Sequence, residues 1–526
     1  MKVDLTRCKG CGICMEVCPT GVIKVEGKKV RIGEGCVECR TCLKVCPQTV
    51  FTADAPDGKT PVCSACPIAC RIPEGSYGAC MRYYNEGGVI GRKARVHSYA
   101  EVADIVEAAN ASALGPPLLT GIGSGTTYPD FRPSPFIVSG VRDGIDIITV
   151  VTEAPLSYGG VKVKLDTDRF LGEESKGIYI KRKGKRRIGH LCTEEYGSKM
   201  LSLGGVNTLT SKDGMFAAKA IFELLQGKWV SMEVEDGAKV EIALHEPPKI
   251  DGIFEERMRP GCGSAVSGLF APYMAAAADE VIVLDGHITG LFSEHPAGRE
   301  SGKARSGVSI TGQKSTDGRY FLAKGAGWGG TAINEPLDVI AEIDAKKMRD
   351  GSTILITETT GRKSAFYRMK GGRPVQAPPS PAAKAFLAVL ADSCEPSRAS
   401  AVFAAGVGGS ARAGVTKNPV RLTRAVHEGR VAITIGGARP FIFPGGGINF
   451  LVDVEKIKYG SIYLSPTPSF VLPVEYTMRK DTFAEIGGHV DAIRPIESVI
   501  NDPAVSAGSF RERGGSPGKA RRGGGL

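Results

Sequence analysis

The sequence predicts a multidomain α/β protein with α+β features, made of a small cysteine-rich N-terminal region and a large body. Three observations support this prediction. The chain has 526 residues, which is more than one compact core accommodates. Twelve of its fifteen cysteines fall within the first eighty residues. After them, short apolar runs typical of strands alternate with Ala-rich stretches typical of helices.

Residues 1–54 contain the same cysteine motif twice. The run C-x2-C-x2-C-x3-C-P begins at Cys8 and again at Cys36. An iron–sulfur cube needs four converging thiolates, and in two-cluster ferredoxins each run supplies three ligands to one cluster and a fourth to the other. This rule assigns Cys8, Cys11, Cys14 and Cys46 to one 4Fe-4S cluster, and Cys36, Cys39, Cys42 and Cys18 to a second. A two-cluster ferredoxin-like domain is therefore predicted; zinc is the alternative, although zinc sites prefer two separated cysteine pairs.

A third cysteine group follows within the segment 62–97. Its four members are Cys63, Cys66, Cys70 and Cys80. Pro and Gly residues in the long interval between the last two allow the chain to double back, so that four thiolates can converge. We expect a third 4Fe-4S cluster here, which would continue an electron path toward the body. Structural zinc and unbound cysteines are the alternatives.

Residues 98–505 are predicted to form an α/β catalytic body, with internal boundaries near 247 and 380. The predicted strands include 145–152, 280–284, 353–357 and 431–435. The predicted helices include 98–110, 213–225 and 381–390. These segments follow the apolar patterns of strands and helices, respectively. The last residues, 506–526, form a basic Gly-rich stretch that we expect to be a flexible tail.

The formal net charge of +11 does not by itself indicate a nucleic-acid-binding protein. Three tetrathiolate clusters would each add roughly −2, and five of the positive charges lie in the tail. The remaining charge suits an acidic electron-transfer partner or an anionic substrate. No stretch of about 18 apolar residues occurs, and the clustered cysteines fit metal ligation in a reducing compartment. The sequence therefore predicts a cytoplasmic protein in an anoxic setting, without nucleic-acid or membrane partners, and leaves homo-oligomerisation open.

The cysteine motifs together with the long glycine-rich body resemble 6-hydroxynicotinate reductase. The third segment carries most of this resemblance: it reads CSACPIAC from Cys63 and GACMRYYN from Gly78, whereas the double run is common to many ferredoxins. The likeness is expected to span most of the chain. It implies a ferredoxin-dependent iron–sulfur flavoprotein with FMN or FAD, which converts 6-hydroxynicotinate to 1,4,5,6-tetrahydro-6-oxonicotinate in anaerobic nicotinate breakdown. Low-potential clusters, a flavin that pairs electrons and an acid that delivers protons suit that chemistry.

Two loops of the body are candidates for binding a cofactor or the substrate. The first is glycine- and hydroxyl-rich and can approach a flavin phosphate through backbone amides, although a tight surface turn is the alternative. Its candidate residues are Gly121, Gly123, Gly125 and Thr126. The second loop contains Arg439 and follows the strand 431–435, at a position where ligands bind in α/β sheets. Its guanidinium can clamp a carboxylate, with an ordinary salt bridge as the alternative.

Three further residues are candidates for catalysis. Cys262 stands between glycines and can be a covalent flavin anchor, a proton donor or an extra ligand, or else an inert buried thiol. His287 and His295 follow the strand 280–284 and can supply a proton, although each also fits a structural histidine. The glycine-rich loop 325–331 can flank a flat ring.

The expected electron donor is reduced ferredoxin or a similar carrier. The sequence has no G-x-x-x-x-G-K-S/T loop and no convincing G-x-G-x-x-G motif opening a βαβ unit, which disfavours ATP hydrolysis and direct use of NAD(P)H. The expected substrate is a small anionic heterocyclic acid. Two other hypotheses are a non-catalytic electron-transfer protein and a low-potential activator of another enzyme. A bound flavin would exclude the first, and reduction of a small molecule by the chain alone would exclude the second.

Overall fold

The computed structural model describes residues 1–55, 58–63, 68–79, 83–92, 96–97, 119–120, 133–134, 136–156, 159–192, 199–457, 461–464 and 469–495. Several predicted features lie outside this part of the chain: the helix at 98–110, the loop from Gly121 to Thr126, the tail at 506–526, and two cysteines of the third group, Cys66 and Cys80.

The N-terminal unit is built from short helices and small antiparallel pairs of strands. Its elements are β1 (Lys2–Val3), α1 (Ile13–Glu16), β2 (Ile23–Glu26), β3 (Lys29–Ile32), α2 (Thr41–Val45) and β4 (Phe51–Thr52). Strand β1 pairs with β4, and β2 forms a hairpin with β3. Each helix lies within one of the two cysteine runs, so the duplicated sequence folds into a duplicated structure.

The segment that follows folds back on itself, as its Pro and Gly residues predict. Its strands are β5 (Tyr83–Glu86), β6 (Val89–Arg92), β7 (Val96–His97) and β8 (Leu119–Thr120). Gly75 has a φ of 71°, and its amide donates to the carbonyl of Asn85. The amide of Gly78 donates to the carbonyl of Tyr83. The chain before Cys80 therefore runs beside β5.

The body begins with a long run of strands. The elements are β9 (Phe136–Arg142), β10 (Ile145–Leu156), β11 (Gly160–Leu165), β12 (Gly177–Lys181), β13 (Lys185–Leu191), β14 (Lys199–Gly204), α3 (Val206–Leu209), α4 (Gly214–Leu225), β15 (Val230–Val234), β16 (Lys239–Ile242), β17 (Lys249–Ile250) and β18 (Ile253–Phe254).

A second sheet unit is inserted next. The elements are β19 (Arg257–Met258), α5 (Gly263–Leu269), α6 (Ala271–Ala277), β20 (Glu280–Leu284), β21 (Thr289–Leu291), α7 (Pro296–Glu300), β22 (Val308–Ile310), β23 (Gln313–Thr316), β24 (Arg319–Phe321), β25 (Ile340–Ile343), β26 (Thr353–Glu358), β27 (Ser364–Lys370), β28 (Arg373–Gln376), α8 (Pro381–Asp392) and β29 (Glu395–Pro396), with 3-10 turns at Trp328–Gly330 and Pro336–Val339.

The chain then returns to the first part of the body. The elements are β30 (Ala399–Gly406), α9 (Gly409–Ala413), α10 (Pro419–His427), β31 (Val431–Ile435), β32 (Phe441–Ile442), β33 (Asn449–Asp453), β34 (Tyr463–Leu464), β35 (Phe470–Arg479), α11 (Lys480–Glu485) and β36 (Arg494–Pro495), with 3-10 turns at Val454–Lys456 and Val490–Ala492.

Two large sheets share the main core of the body. Among the described residues, one sheet has the order β31-β35-β10-β9-β36 with β34 beside β35, and the other has the order β18-β17-β16-β15-β12-β13-β14-β11-β30-β33-β32. Three buried aromatic rings join them. Phe403 of β30 lies 6.4 Å from Phe450 of β33 and 5.8 Å from Phe470 of β35, measured between ring centroids. Burial of such rings is a major part of core stability.

The inserted unit is a seven-stranded sheet with the order β23-β24-β21-β20-β26-β27-β28. Its central strands β20 and β26 are parallel and are buried on both faces. Val281 and Val283 of β20 face a core shared with α6 and α8, while Ile282 and Leu284 face a second core. The chain enters and leaves this unit through the paired strands β19 and β29. The sub-boundaries predicted near 247 and 380 both lie shortly before these two crossings.

The described elements confirm the mixed α/β class. The strands predicted at 280–284 and 431–435 have the observed bounds, and those predicted at 145–152 and 353–357 continue to Leu156 and Glu358. The helix predicted at 213–225 begins one residue later, after Asp213, and the helix predicted at 381–390 extends to Asp392. Among the described strand pairs, those other than β20–β26 and β36–β9 are antiparallel.

The N-terminal unit is anchored on the body. Ile13 and Val17 of this unit belong to the main core of the body. The Lys219 ammonium on α4 donates to the carbonyl of Glu16 at 2.7 Å. The cluster-binding region is therefore held against the body by apolar and polar contacts. None of the helices in the described ranges has the length and apolar composition that a membrane crossing requires.

One buried carboxyl group sits in the middle of the smaller of the two large sheets. Glu475 of β35 lies opposite Val151 of β10 and Thr434 of β31. Its side chain is buried, and its Oε2 has no hydrogen-bond partner among the described residues. Burial raises the pKa of Glu475 to about 7. The folded state therefore binds this proton more tightly than the unfolded chain does, so stability falls as the pH rises from the unfolded-state pKa toward 7.

Glu475→Gln is therefore expected to raise the melting temperature at pH 8 and to change it little at pH 5, because glutamine has no charge to bury. The shift corresponds to up to about 3 kcal/mol of free energy of unfolding. Thermal melting of anaerobically purified protein at both pH values measures the effect. Glu342→Gln, at an exposed glutamate of β25, is the control. A difference between Glu475→Gln and wild type that did not vary with pH would contradict the argument.

Candidate cluster-binding sites and active site

The first cysteine run and the end of the second line one cavity. Its empty volume is about 330 Å³. All four sulfur-bearing residues assigned to the first cluster line it: Cys8, Cys11, Cys14 and Cys46. The remaining lining includes Val30, Val50 and Phe51, which are buried apolar side chains. Four thiols around a mostly apolar cavity are the donor set that a 4Fe-4S cluster requires.

The electrostatic neighbours of the buried thiols connect the two runs. Cys14 interacts with Cys11 of its own run and with Cys46 of the other. The second set behaves in the same way, because the thiol of Cys42 interacts with Cys39, Cys36 and Cys18. This proximity is the one that an exchange of fourth ligands between the runs requires.

Burial also determines the charge state of these thiols. Burial, with a smaller contribution from neighbouring thiols, raises the pKa of Cys14 to about 11 and that of Cys42 to about 12. A thiol binds metal only as the thiolate, so both positions need a strong positive charge beside the sulfur. Iron in a bound cluster would supply that charge.

The backbone of each run has the same unusual shape. Gly10 and Gly12 of the first run have φ values of 67° and 74°, and Glu38 and Arg40 of the second have 49° and 62°. Such left-handed residues turn backbone amides toward a bound anion or sulfur. Gly10 is also a steric necessity, because a Cβ there would lie 2.5 Å from the carbonyl oxygen of Lys28.

The spacing of the side chains bears on the zinc alternative. Within the described residues, no three His, Cys, Asp or Glu side chains are close enough together to hold a single metal ion. Zinc places its sulfur ligands about 2.3 Å from one ion. A 4Fe-4S cube, by contrast, spreads its four ligands over separate iron atoms.

The third cysteine group is packed against the second run. Cys63 and Cys70, its two described members, are buried, and the amide of Cys63 donates to the carbonyl of Cys70 at 2.8 Å. Both lie in an apolar cluster that contains Val37 and, at its edge, Cys39. A third centre at this position would adjoin the second one.

Three buried carboxyl groups meet beside the parallel strands of the inserted unit. They are Asp168, Glu255 and Glu358, which we call the carboxylate cluster. Arg362 interacts electrostatically with all three. Glu358 is the last residue of β26, so the cluster lies at the carboxyl end of the parallel pair, where ligands bind in α/β sheets.

Glu255 is fully paired within the carboxylate cluster. Its Oε1 lies 2.8 Å from the Nη1 of Arg362, and its Oε2 lies 3.2 Å from the Nε of Arg169. The hydroxyl of Thr167 donates to the same Oε2 at 2.6 Å. Glu255 therefore joins two guanidinium groups and a hydroxyl, and holds the loops that carry them together.

Glu358 has a different environment. Its Oε1 accepts a hydrogen bond of 2.8 Å from the amide of Gly329, while its Oε2 has no partner among the described residues. Burial and the negative charge of Asp168 raise the pKa of Glu358. Two neighbouring carboxyl groups in contrasting environments are typical of acid–base sites, and Glu358 is the one suited to carry a proton.

The glycine-rich loop 325–331 closes over the carboxylate cluster. A Cβ at Gly330 would lie 2.2 Å from the carbonyl oxygen of Asp168, and one at Gly329 would lie 2.3 Å from that of Leu284. Only glycine allows this close approach. Trp328 of the same loop is half-buried, and the Nζ of Lys363 lies 6.0 Å from the centre of its ring. The loop predicted to flank a flat ring therefore lies beside the carboxylate cluster.

His287 is at the same edge of the sheet. It is half-buried in the loop after β20, and the amide of its neighbour Gly286 donates to the carbonyl of Gly329 at 2.7 Å. His287, which the sequence placed just after a strand, therefore lies in the same region as the carboxylate cluster.

His295 and Cys262 cap helices. The amide of Ala297 donates to the Nδ1 of His295, so the Nε2 carries the proton and donates to the hydroxyl of Ser264 at 3.1 Å. Burial, followed by the charge of nearby arginines, lowers the pKa of His295 to about 4, which leaves it neutral near pH 7. The buried thiol of Cys262 accepts from the amide of Ala265 at 3.4 Å. These contacts support the structural alternative for both residues.

The surroundings of Arg439 support a ligand-binding role less than its position in the sequence does. It is exposed, just after the turn in which Ile435 and Ala438 exchange hydrogen bonds. The preceding strand β31 pairs antiparallel with β35, so the rule for parallel strand ends does not apply there. The flavin-phosphate candidates Gly121, Gly123, Gly125 and Thr126 lie outside the described residues.

Sequence reasoning did not identify the carboxylate cluster. A signal was available for Glu358, because it ends an apolar run just as Asp285 follows the run 280–284. Asp168 likewise comes shortly after the apolar alternation of β11. Glu255 gives no such signal, since only its pairing with Arg169 and Arg362 reveals its place.

Known proteins are similar to this chain in its N-terminal region and along nearly its whole length. Residues 1–24 match the family described as the 4Fe-4S binding domain. The chain is 43% identical over 500 residues to the 6-hydroxynicotinate reductase of Eubacterium barkeri, an alignment that covers 94% of this chain and 99% of that protein. The chain belongs to the 6-hydroxynicotinate reductase family. The resemblance predicted from the cysteine motifs is thereby confirmed, and the chain is an iron–sulfur reductase of this family. No solved structure matches the chain.

Cys46→Ala is expected to lower bound iron by about one four-iron cluster, because it removes the fourth ligand of the first set. Cys18→Ala should remove the other cluster in the same way. Iron and sulfide analysis of anaerobically purified protein, with electron paramagnetic resonance after reduction, measures the loss. Cys192→Ala, outside the three cysteine groups, is the control. Full iron content in Cys46→Ala would refute the proposed ligand set.

Proposed function

We propose that the chain reduces 6-hydroxynicotinate to 1,4,5,6-tetrahydro-6-oxonicotinate with electrons from reduced ferredoxin. The observation that carries this proposal is the 43% identity to a 6-hydroxynicotinate reductase along nearly the whole of both chains. The conversion adds two electrons and two protons to one carbon–carbon double bond of the ring. The chain therefore needs an electron entry, an electron path and a source of protons beside the substrate.

The electron path in this proposal consists of three 4Fe-4S clusters. The first two use the ligand sets assigned above, and the third uses Cys63, Cys66, Cys70 and Cys80. The packing of Cys63 and Cys70 against Val37 and Cys39 supports a third centre next to the second. A flavin, FMN or FAD, would pair electrons that arrive singly. Its binding loop is proposed from the sequence alone.

The active site in this proposal is the carboxylate cluster with the loop 325–331. Trp328 offers a ring on which a flat heterocycle can stack. Lys363 beside it lies 3.6 Å from the Oε1 of Glu358, and its ammonium also offers a cation for the substrate carboxylate. Arg362 is already paired with Glu255, and this ion pair holds the two side chains in position within the site. Glu358 supplies one proton, and the half-buried His287 is the candidate for the second.

The two other hypotheses assign no chemistry to the body. A non-catalytic carrier or an activator of another enzyme does not need a buried carboxyl group with a raised pKa beside a stacking ring. Membership of a reductase family also favours catalysis by the chain itself. Cytoplasmic location and homo-oligomerisation remain predictions.

Glu358→Gln is expected to lower kcat by about 10²-fold or more while changing KM little, because glutamine keeps the contact to the Gly329 amide but carries no acidic proton. In wild type, kcat should fall as the pH rises through the raised pKa of Glu358, since only the protonated form donates. The variant should lose this decline. Steady-state kinetics with 6-hydroxynicotinate between pH 5.5 and pH 9 measures both effects.

The matched control is Glu280→Gln. Glu280 is also buried with a raised pKa, but it lies at the opposite end of β20 and is bound by the hydroxyls of Ser293 and Ser306. This control should retain the decline of kcat at high pH. Wild-type kcat and an unchanged pH profile in Glu358→Gln would remove Glu358 from the proposed mechanism.

A further inference from the structure

A strongly basic hairpin lies against the first cysteine run. The turn between β12 and β13 reads KRKGKRR over residues 181–187, which places six cations in seven positions. Lys183 takes a left-handed conformation at the tip, with a φ of 51°, and Gly184 follows with a φ of 112°. The two strands therefore connect through a tight turn at these two residues.

The tip of the hairpin touches the cluster-binding loop. A Cβ at Gly12 would lie 3.2 Å from the Cε and 3.4 Å from the Nζ of Lys183. Gly12 follows Cys11, which is exposed, and both line the cavity of the first cysteine set. The hairpin therefore stands at the edge of the first cluster site where that site meets solvent.

Three of the six cations hold the hairpin in place. Lys181 lies 3.1 Å from a carboxylate oxygen of Glu233, and Arg186 lies 3.0 Å from one of Asp213. Arg182 pairs with Glu223 of α4. These ion pairs fix the hairpin to the body and neutralise half of its charge.

The other three cations are exposed and remain uncompensated by carboxylates in the described part of the chain. They are Lys183, Lys185 and Arg187. Lys185 lies over the ring of Tyr179, and Arg187 donates to the carbonyl of Gly189, so these contacts position the side chains without removing their charge. Like charges held together on a surface repel each other and contribute nothing to folding, which points to a role outside the fold.

The N-terminal unit adds cations to the same edge. Lys9 and Lys28 are exposed beside the first run, and the backbone of Lys28 packs on Gly10. Lys29 donates to the carbonyls of Leu5 and Cys8 and keeps its positive charge beside the first ligand. Lys9, Lys28 and Lys183 thus border the first cluster site. Lys185 and Arg187 continue this basic rim along the hairpin.

We propose that this basic rim, formed by Lys9, Lys28, Lys183, Lys185 and Arg187, is the docking surface for an acidic one-electron carrier protein that reduces the cluster of the first cysteine set. The inference rests on the proposed function and adds the place where electrons enter. Each encounter oxidises the carrier by one electron and reduces the cluster by one electron, so two encounters supply one reduction of the substrate. Charge complementarity around an exposed redox site accelerates the encounter and orients the carrier.

The test is the rate of cluster reduction in Lys183→Glu/Lys185→Glu. Stopped-flow absorbance under anaerobic conditions measures the second-order rate constant with a reduced, acidic bacterial ferredoxin. We expect it to fall by on the order of tenfold or more at low ionic strength and to approach the wild-type value at high salt, because screening removes electrostatic steering. Reduction by reduced methyl viologen, a small cation, should not fall.

Two further variants separate docking from damage. Lys185→Glu/Arg187→Glu leaves the contact between Lys183 and Gly12 intact and should show the same loss of reduction rate. It takes the place of the first variant if that variant binds less iron. Lys370→Glu/Lys384→Glu reverses two exposed charges of the inserted unit and should behave like wild type. Iron analysis of every variant shows whether the clusters are loaded.

The outcomes distinguish this inference from the proposed function. An unchanged ferredoxin rate in a fully loaded Lys185→Glu/Arg187→Glu variant overturns the docking surface, as does preferential binding of the wild type to duplex DNA or to phosphatidylserine vesicles over the ferredoxin. A wild type that accepts electrons from ferredoxin but does not reduce 6-hydroxynicotinate overturns the proposed function and leaves the docking surface standing.

Discussion

The convergence of four thiolates on one cluster is the constraint on which the N-terminal unit depends. The chain around the cysteines adopts left-handed conformations at Gly10, Gly12, Glu38 and Arg40 that ordinary secondary structure would not favour. A unit of about fifty residues also has few apolar side chains to bury. Burial raises the pKa values of Cys14 and Cys42, and iron bound at these thiols would stabilise their thiolate forms.

The same constraint explains why the N-terminal unit packs against the body and is not joined to it by a flexible linker alone. Electron transfer between centres requires a fixed and short separation, which a flexible connection does not provide. Ile13 of α1 and Val17, which follows that helix, enter the main core of the body. The ammonium of Lys219 on α4 donates a hydrogen bond to the carbonyl of Glu16. The body thus holds the cysteine-containing unit in place through both apolar and polar contacts.

Local features of the fold could be predicted from the sequence, and long-range features could not. The strand 280–284 is entirely apolar and ends at Asp285, and the helix from Pro381 begins after Ser380, whose hydroxyl accepts from the amide of Ala383. Such signals lie within a few residues of each other. The pairing of β10 with β35, by contrast, joins residues more than three hundred positions apart, and no local pattern specifies it. The insertion of a whole sheet unit between β18 and β30 could not be predicted from the sequence for the same reason.

The candidate active site shows the same division. The cysteine ligands could be proposed because the spacing of the cysteines is itself the signature of a cluster motif. Glu358, by contrast, acquires its unusual pKa only when the fold buries it beside Asp168. Burial and then the charge of Asp168 raise the pKa of Glu358, and the two come together because the hydroxyl of Thr359, just after β26, contacts the carboxylate of Asp168 at 3.4 Å. Arg362 and Arg169 pair with Glu255 next to it, so one region holds both a carboxyl group bound by two guanidinium groups and a carboxyl group of raised pKa. A reductase that adds electrons and protons to one ring needs this combination, and only the folded chain brings it about.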